Sequence, residues 1–202
     1  MVNILDSLNT EQKKCVEKIS GPMIIISGPG SGKTRVITSK IAYLILNNIN
    51  PSNILSLTFT NKSAKEMINR AQNMIPNHNI NNLWIGTFHS IFAKILRIEA
   101  EIIGYNNNFT ILDNEDSKNI IKRIIKDKSL DSEVYKPNAI FAKISLLKNN
   151  MISPQKYNQS EELIKKDRET RQIEFSSIYR EYEETCKKNE SMDFDSILVN
   201  TL

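Results

Sequence analysis

The stretch SGPGSGKT, Ser27–Thr34, is the part of this sequence best equipped for chemistry. Its three glycines let the backbone curl so that successive N–H groups converge on an anion. Lys33 adds a mobile positive charge, and Thr34 offers a hydroxyl suited to Mg²⁺. Ser27, Gly28, Pro29, Gly30, Ser31, Gly32, Lys33 and Thr34 are thus the candidate phosphate-binding residues. Lys33 and Thr34 are the two that would act on the reacting groups, and Thr34 is the candidate metal ligand. The phosphate-loop pattern G-x-x-x-x-G-K-[ST] asks for glycine at its first position, where this chain has Ser27. Serine is small enough for the same bend. The expected ligand is a nucleotide polyphosphate with Mg²⁺; the alternative is a glycine-rich turn that holds nothing.

Such a loop works only between a strand and a helix. Met23–Ile26, with three consecutive isoleucines, reads as a buried strand. Val36, Ile37, Ile41, Leu44 and Ile45 recur at helical spacing after it, so the helix dipole also favours phosphate. A helix starting at LNTEQ precedes the strand, with Val16 and Ile19 inward. Further strands are expected at Ile54–Phe59, Leu83–Thr87 and Phe109–Leu112. Helices are expected at Ser63–Ile75, with Ala64, Met67, Ile68 and Ala71 on one stripe, and at Ile91–Ile103, with Phe92, Ile95, Leu96 and Ile102 inward. Strands alternating with helices predict a parallel sheet covered on both faces. From Asn114 to Glu190 the pattern is helical throughout: Asp116–Lys126, a helix opened by Pro137, and a long charged helix from about Ser160 to Lys188. Trp84, Tyr179 and Tyr182 read as packing residues.

Three junctions share one design of strand, small polar residues and helix: Ser27–Thr34, TFTNKS at 58–63, and GTFHS at 86–90. In a parallel sheet all three fall on the carboxyl edge, where ligands bind. The second and third set hydroxyls and helix N–H groups beside an aromatic ring, which suits a phosphodiester backbone and a stacked base. The 202 residues carry a formal net charge of +4, which permits a nucleic-acid partner without requiring one. Cys15 and Cys186 read as reduced thiols, and no apolar run is long enough to span a membrane. A cytoplasmic protein is expected. The sequence is rich in Ile, Lys and Asn, so single lysines and asparagines carry little weight.

LNTEQ, SGPGSGKT, LTFTNKSAKEM, IGTFHS, FTILD and MDFDSIL occur here in the order of the UvrD-like helicases of superfamily 1, which the chain resembles over nearly its whole length. The resemblance implies a RecA-like phosphate-loop α/β domain, incomplete here, with an inserted all-helical subdomain. The expected division is 1–113 for the first part of the RecA-like domain, 114–190 for the insert and 191–202 for the return. It implies ATP and Mg²⁺ as cofactors, with Gln12 reading adenine and Arg35 lying near the base. Gln12 three residues after Asn9 also fits a capping box, and Arg35 also fits a solvated helix charge. Phe59, Thr60 and Asn61 match one DNA-contacting motif, and Thr87, Phe88 and His89 another. From the residues alone, Phe59 reads more readily as strand core and His89 as a hydrogen-bonded structural histidine, so their DNA contacts rest on the resemblance. Lys165, Lys166, Arg168 and Arg171 read as a solvated helix face that touches DNA only if the resemblance extends so far.

The family's activity is ATP-driven 3′-to-5′ movement on single-stranded DNA and separation of duplex, in repair or replication. Single-stranded DNA, duplex junctions and repair or replication proteins are the implied partners. Hydrolysis also needs a carboxylate for Mg²⁺ and cations for the transferring phosphoryl group. No D-E-x-x box follows a buried strand, and Asp193 and Asp195 read as cap or surface residues. The chain therefore reads as the N-terminal ATP-binding portion of such a helicase, inactive by itself. The Met23 strand, lacking a neighbour, would expose an edge and favour self-association. Two other classes stay open: a nucleotide-regulated single-strand-binding protein without catalysis, and a self-contained phosphate-loop NTPase or kinase.

Overall fold

The computed structural model describes residues 4–202. It is a mixed α/β chain with short parallel ladders and many helices, in keeping with an incomplete RecA-like fold. It divides into two compact units, one ending at Ile91 and the other running from Phe92 to Leu202.

The first unit contains α1 (Thr10–Glu17), α2 (Lys33–Leu46), β1 (Leu55–Thr58), α3 (Asn61–Met74), β2 (Trp84–Thr87) and the start of α4 (Phe88–Ile98). β1 and β2 pair in parallel, from Leu55 opposite Trp84 to Thr58 opposite Thr87. The core joins Ile41, Ala42 and Ile45 of α2 to Ala71 and Ile75 beside Ile54 and Ile80. A smaller cluster of Leu8, Val16 and Val36 ties α1 to α2. Lys40 of α2 strengthens that join by donating to the carbonyls of Cys15, Val16 and Lys18, where the negative end of α1 favours a cation. Burial lowers the pKa of this ammonium. The Thr60 hydroxyl accepts from Ser63 N at 3.1 Å and starts α3, whose buried Ala64, Met67 and Ala71 fall at helical spacing.

The expected strand at Met23–Ile26 does not form a ladder. Ile24 and Ile26 are 88% and 94% exposed. An apolar β-branched run becomes a strand only where another strand takes its backbone groups, and the described residues supply none beside it. Three of the four expected strands form, and together with Ser191–Met192, which was not expected as a strand, they make two separate two-stranded ladders. Helix ends also shift. α2 starts at Lys33, and α4 starts at Phe88 and stops at Ile98, leaving Ile102 exposed. Ile19, Ile37 and Ile68, expected inward, are exposed as well.

The second unit holds β3 (Thr110–Ile111), α5 (Asn114–Asp127), α6 (Pro137–Asn149), α7 (Pro154–Asn158), α8 (Glu161–Glu169), α9 (Phe175–Lys188), β4 (Ser191–Met192) and α10 (Phe194–Asn200). Ile121, Ile125, Ile140, Ile144, Phe175, Ile178 and Tyr182 are among the residues of its main core. β3 and β4 pair in parallel, Thr110 opposite Ser191 and Ile111 opposite Met192, over a second core of Ala93, Leu96, Phe109, Met192 and Ile197. The long helix expected from Ser160 to Lys188 is broken between α8 and α9. Asp167, 3% exposed, is tied to Tyr157 Oη at 2.7 Å and to Lys143, which pins α8. Gln172 N then bonds back to Asp167 O, Arg171 takes φ +58°, and the chain restarts at Phe175. No helix among the described residues is long and apolar enough to cross a membrane. Both cysteines are free thiols.

Candidate nucleotide and nucleic-acid site

Ser27–Gly32 forms a turn that leads into α2. Gly30 and Gly32 have φ of +74° and +84°, which side-chain-bearing residues adopt only at a cost. A Cβ at Gly28 or Gly30 would meet nothing within 4 Å, so the loop is an open cradle. The first turn of α2 has no side-chain cap, leaving its N–H groups for an anion. Lys33 folds back, its Nζ donating to Ser27 O at 3.0 Å and Gly28 O at 2.7 Å. Ser31 Oγ donates to the same Gly28 carbonyl at 2.7 Å. Ser27 Oγ is buried and has no hydrogen-bond partner among the described residues. Open loop, uncapped helix, spare hydroxyl and near lysine together fit a polyphosphate. Thr34, half-buried in the first turn of α2, has the residue type and position to hold Mg²⁺.

Gln12 lies against this loop. Its Nε2 donates to Ser31 O at 3.1 Å, while its Oε1 accepts from Asn9 N and its own N–H donates to Asn9 Oδ1. The capping box is therefore formed, and the same side chain also touches the phosphate loop. Arg35 stands exposed in the first turn of α2.

The second group lies where β1 and β2 end side by side. Thr58 opposes Thr87, so the residues that follow each strand are neighbours. The rings of Phe59 and Phe88 sit 5.6 Å apart at 41°, and Phe59 is 90% exposed. An exposed ring held by a second ring offers a face for base stacking. Thr60 and Asn61 are exposed at the head of α3, and Thr87 and His89 are half-buried at the head of α4. Thr87 Oγ1 bonds Ser90 Oγ at 3.0 Å, and Ser90 N bonds Thr87 Oγ1 at 3.3 Å. Gly86, buried in β2, permits this turn: a Cβ there would come within 2.7 Å of Ser90 Oγ and 2.9 Å of Ile91. The structure thus makes two groups of the candidate residues. One gathers Gln12 with Ser27–Lys33, the other Phe59 with Phe88. α2, which carries Lys33, packs on α3, which Thr60 starts.

Sequence reading missed a third polar centre, in the second unit. Lys148, with a side chain only 4% exposed, contacts Asp193 Oδ2 at 2.7 Å, Glu183 Oε1 at 2.6 Å and Ser196 Oγ at 2.8 Å. Tyr182 Oη donates to the same Asp193 Oδ2 at 2.7 Å. Asp193 is the N-cap of α10, as a cap reading expects, but it is buried. Burial alone would lower the Lys148 pKa; the two carboxylates outweigh it and hold the ammonium above its ordinary value. Burial would raise Asp193, and Lys148 outweighs it to hold that carboxyl low, whereas for Glu183 burial prevails and raises it. One sequence signal was available: Lys148 falls on the apolar stripe of α6 with Ile140, Ile144 and Leu147.

The chain is 37% identical over 200 residues to the ATP-dependent DNA helicase PcrA of Staphylococcus epidermidis and, equally, to that of Staphylococcus aureus. The match covers 98% of this chain and 26% of each relative, so the chain spans about a quarter of the length of the curated relatives it matches. The family UvrD/REP helicase N-terminal domain matches residues 8–202. The chain belongs to the UvrD/REP helicase N-terminal domain family.

Proposed function

We propose that this chain is the ATP-binding, strand-gripping part of an ATP-dependent DNA helicase that moves 3′ to 5′ on single-stranded DNA and opens duplex. The observation that carries the reading is the parallel register of β1 and β2, which sets the exposed Phe59 ring against Phe88 in the unit that also holds the phosphate loop. Lys33 would leave the Ser27 and Gly28 carbonyls for the β and γ phosphates, and loop N–H groups would bind the remaining oxygens. Thr34 would hold Mg²⁺, which when bound withdraws charge from the phosphates. Gln12 and Arg35 would face the base. Phe59 would stack a base, while Thr60, Asn61, Thr87, Phe88 and His89 would follow the strand. Duplex junctions and repair or replication proteins complete the proposed partners, in the cytoplasm.

These 202 residues are expected to bind nucleotide weakly and hydrolyse it negligibly, because no acidic box follows a buried strand. The exposed Ile24 and Ile26 support self-association, which sedimentation would read as a concentration-dependent mass. The direct test is binding of MgATP and of a labelled oligo-dT to the chain, with Lys33→Ala and Phe59→Ala beside it. Lys33→Ala should lose nucleotide and keep DNA; Phe59→Ala should do the reverse. DNA binding with no nucleotide binding would favour a plain strand-binding protein, and ATP turnover at a full helicase's rate would refute the inactive-portion reading.

A further inference from the structure

The second unit contains a cavity of about 370 Å³ bounded by the end of α6, the turn into α7, α9 and α10. Ile152, Pro154, Tyr179 and Val199 give it an apolar wall. Tyr179 Oη already donates to Ile152 O at 2.9 Å, so its ring is what remains for an occupant. Lys148 and Glu183 line the same cavity, and with Asp193 they set one ammonium against two carboxylates. One negative charge is left over. Asp193 is fully served: Lys148 and Tyr182 donate to Oδ2, and Ser196 N donates to Oδ1. Glu183 is not. Its Oε1 is buried 2.6 Å from Lys148 Nζ, an ion pair without hydrogen-bond geometry, and no donor among the described residues reaches Oε2. Burial raises this carboxyl in spite of Lys148, as befits a carboxylate short of donors. The other cations of the lining are engaged elsewhere: Arg180 pairs with Glu184 at 3.9 Å, and Lys156 Nζ donates to Met151 O at 3.2 Å.

We infer that this cavity binds a small organic cation, an ammonium or amidinium on an apolar body, with Glu183 Oε2 accepting its N–H and Tyr179 and Val199 holding the body. The volume lies at the small end of ligand pockets, about 300–1,000 Å³, which suits a body of one ring or a short chain. Such an occupant supplies the missing positive charge and the missing donor together. A charge-assisted bond of this kind is roughly twice as strong as a neutral one. The site lies wholly in the second unit and shares no residue with the phosphate loop.

The test is a ligand-observed NMR titration of the 202-residue chain with phenethylammonium, beside the isosteric neutral phenethyl alcohol and the anion hydrocinnamate. A ligand of this size binds with a dissociation constant on the order of millimolar. The ammonium should bind about 10-fold or more tightly than the alcohol, the worth of a hydrogen bond to a charged group. Glu183→Gln keeps the shape and removes the charge, so it should erase that difference. Val199→Trp fills the cavity from α10 and should abolish binding of the ammonium with the Lys148 cluster intact. Melting curves identify a variant that does not fold, and the other variant and the wild-type preference then carry the test. Equal affinity for ammonium and alcohol, preference for the anion, or an unchanged preference in folded Glu183→Gln overturns the inference. So does binding that survives Val199→Trp, or no binding of the ammonium. Lys33→Ala should leave these affinities as they are; a loss there would put the amine at the phosphate loop and overturn the inference as well.

Discussion

Replacing Lys148 by methionine removes one positive charge from beneath Asp193 and Glu183 while filling nearly the same space. Asp193 is 3% exposed and keeps the Tyr182 hydroxyl and the Ser196 N–H, but no cation. A buried ion whose partner is deleted costs about 3–5 kcal/mol, because the remaining charge stays desolvated. A domain of the second unit's size has only about 5–15 kcal/mol of stability. The variant should thus lose about a fifth of it or more, with a fall in melting temperature of roughly 4–8 °C per kcal/mol. Adding Asp193→Asn and Glu183→Gln should recover much of the loss, since removing a whole buried ion cluster is often near neutral. Urea unfolding followed by tyrosine fluorescence and circular dichroism reads the midpoint of each variant. A loss below about 1 kcal/mol for Lys148→Met, or a triple variant weaker than the single one, would show that the cluster does not depend on charge pairing.

The same cluster sets a pH dependence. The folded-state pKa of Lys148 is raised above its ordinary 10.5, so its stabilisation is complete below that value and is lost as pH climbs through the folded one. Burial raises the Tyr182 and Tyr179 phenols as well, so urea midpoints should fall steeply above pH 10, and Lys148→Met should flatten part of that fall. Gly86→Ala should cost about 1–3 kcal/mol, since its Cβ overlaps Ser90 Oγ and Ile91; an unchanged melting curve would contradict that crowding. Phe59→Ala should weaken oligo-dT binding by about 1–3 kcal/mol and leave stability unmoved, because the ring is 90% exposed; a large drop in melting temperature would assign Phe59 to packing.

Local chemistry was readable from the sequence. Asn9 and Gln12 form the capping box their spacing announces, Pro137 opens α6, and the apolar stripes of α3, α5 and α6 give most of the buried residues found there. Non-local terms were not. Ile24–Ile26 has every local mark of a strand, yet a ladder needs a partner that local pattern does not disclose. The break before Phe175 follows from Asp167 meeting Tyr157 and Lys143, contacts that no helical period predicts. Lys148 and Asp193 are 45 residues apart, so only folding reveals them as one site. At the phosphate loop the residue types were evident, but the inward fold of Lys33 and the grip of Gln12 on Ser31 required coordinates.

The ladder of β3 with β4 has a topological consequence. Thr110 and Ser191 are adjacent across a single strand spacing, so the chain leaves on an excursion of about 80 residues and re-enters through the same doorway. Loops between those two threshold residues can change in length provided the two ends still meet and α6 and α9 keep Lys148, Glu183 and Tyr182 against Asp193. The entropy of closing so long a loop grows only slowly with its length, which leaves that interval open to evolutionary experiment and makes it a natural place to graft a reporter.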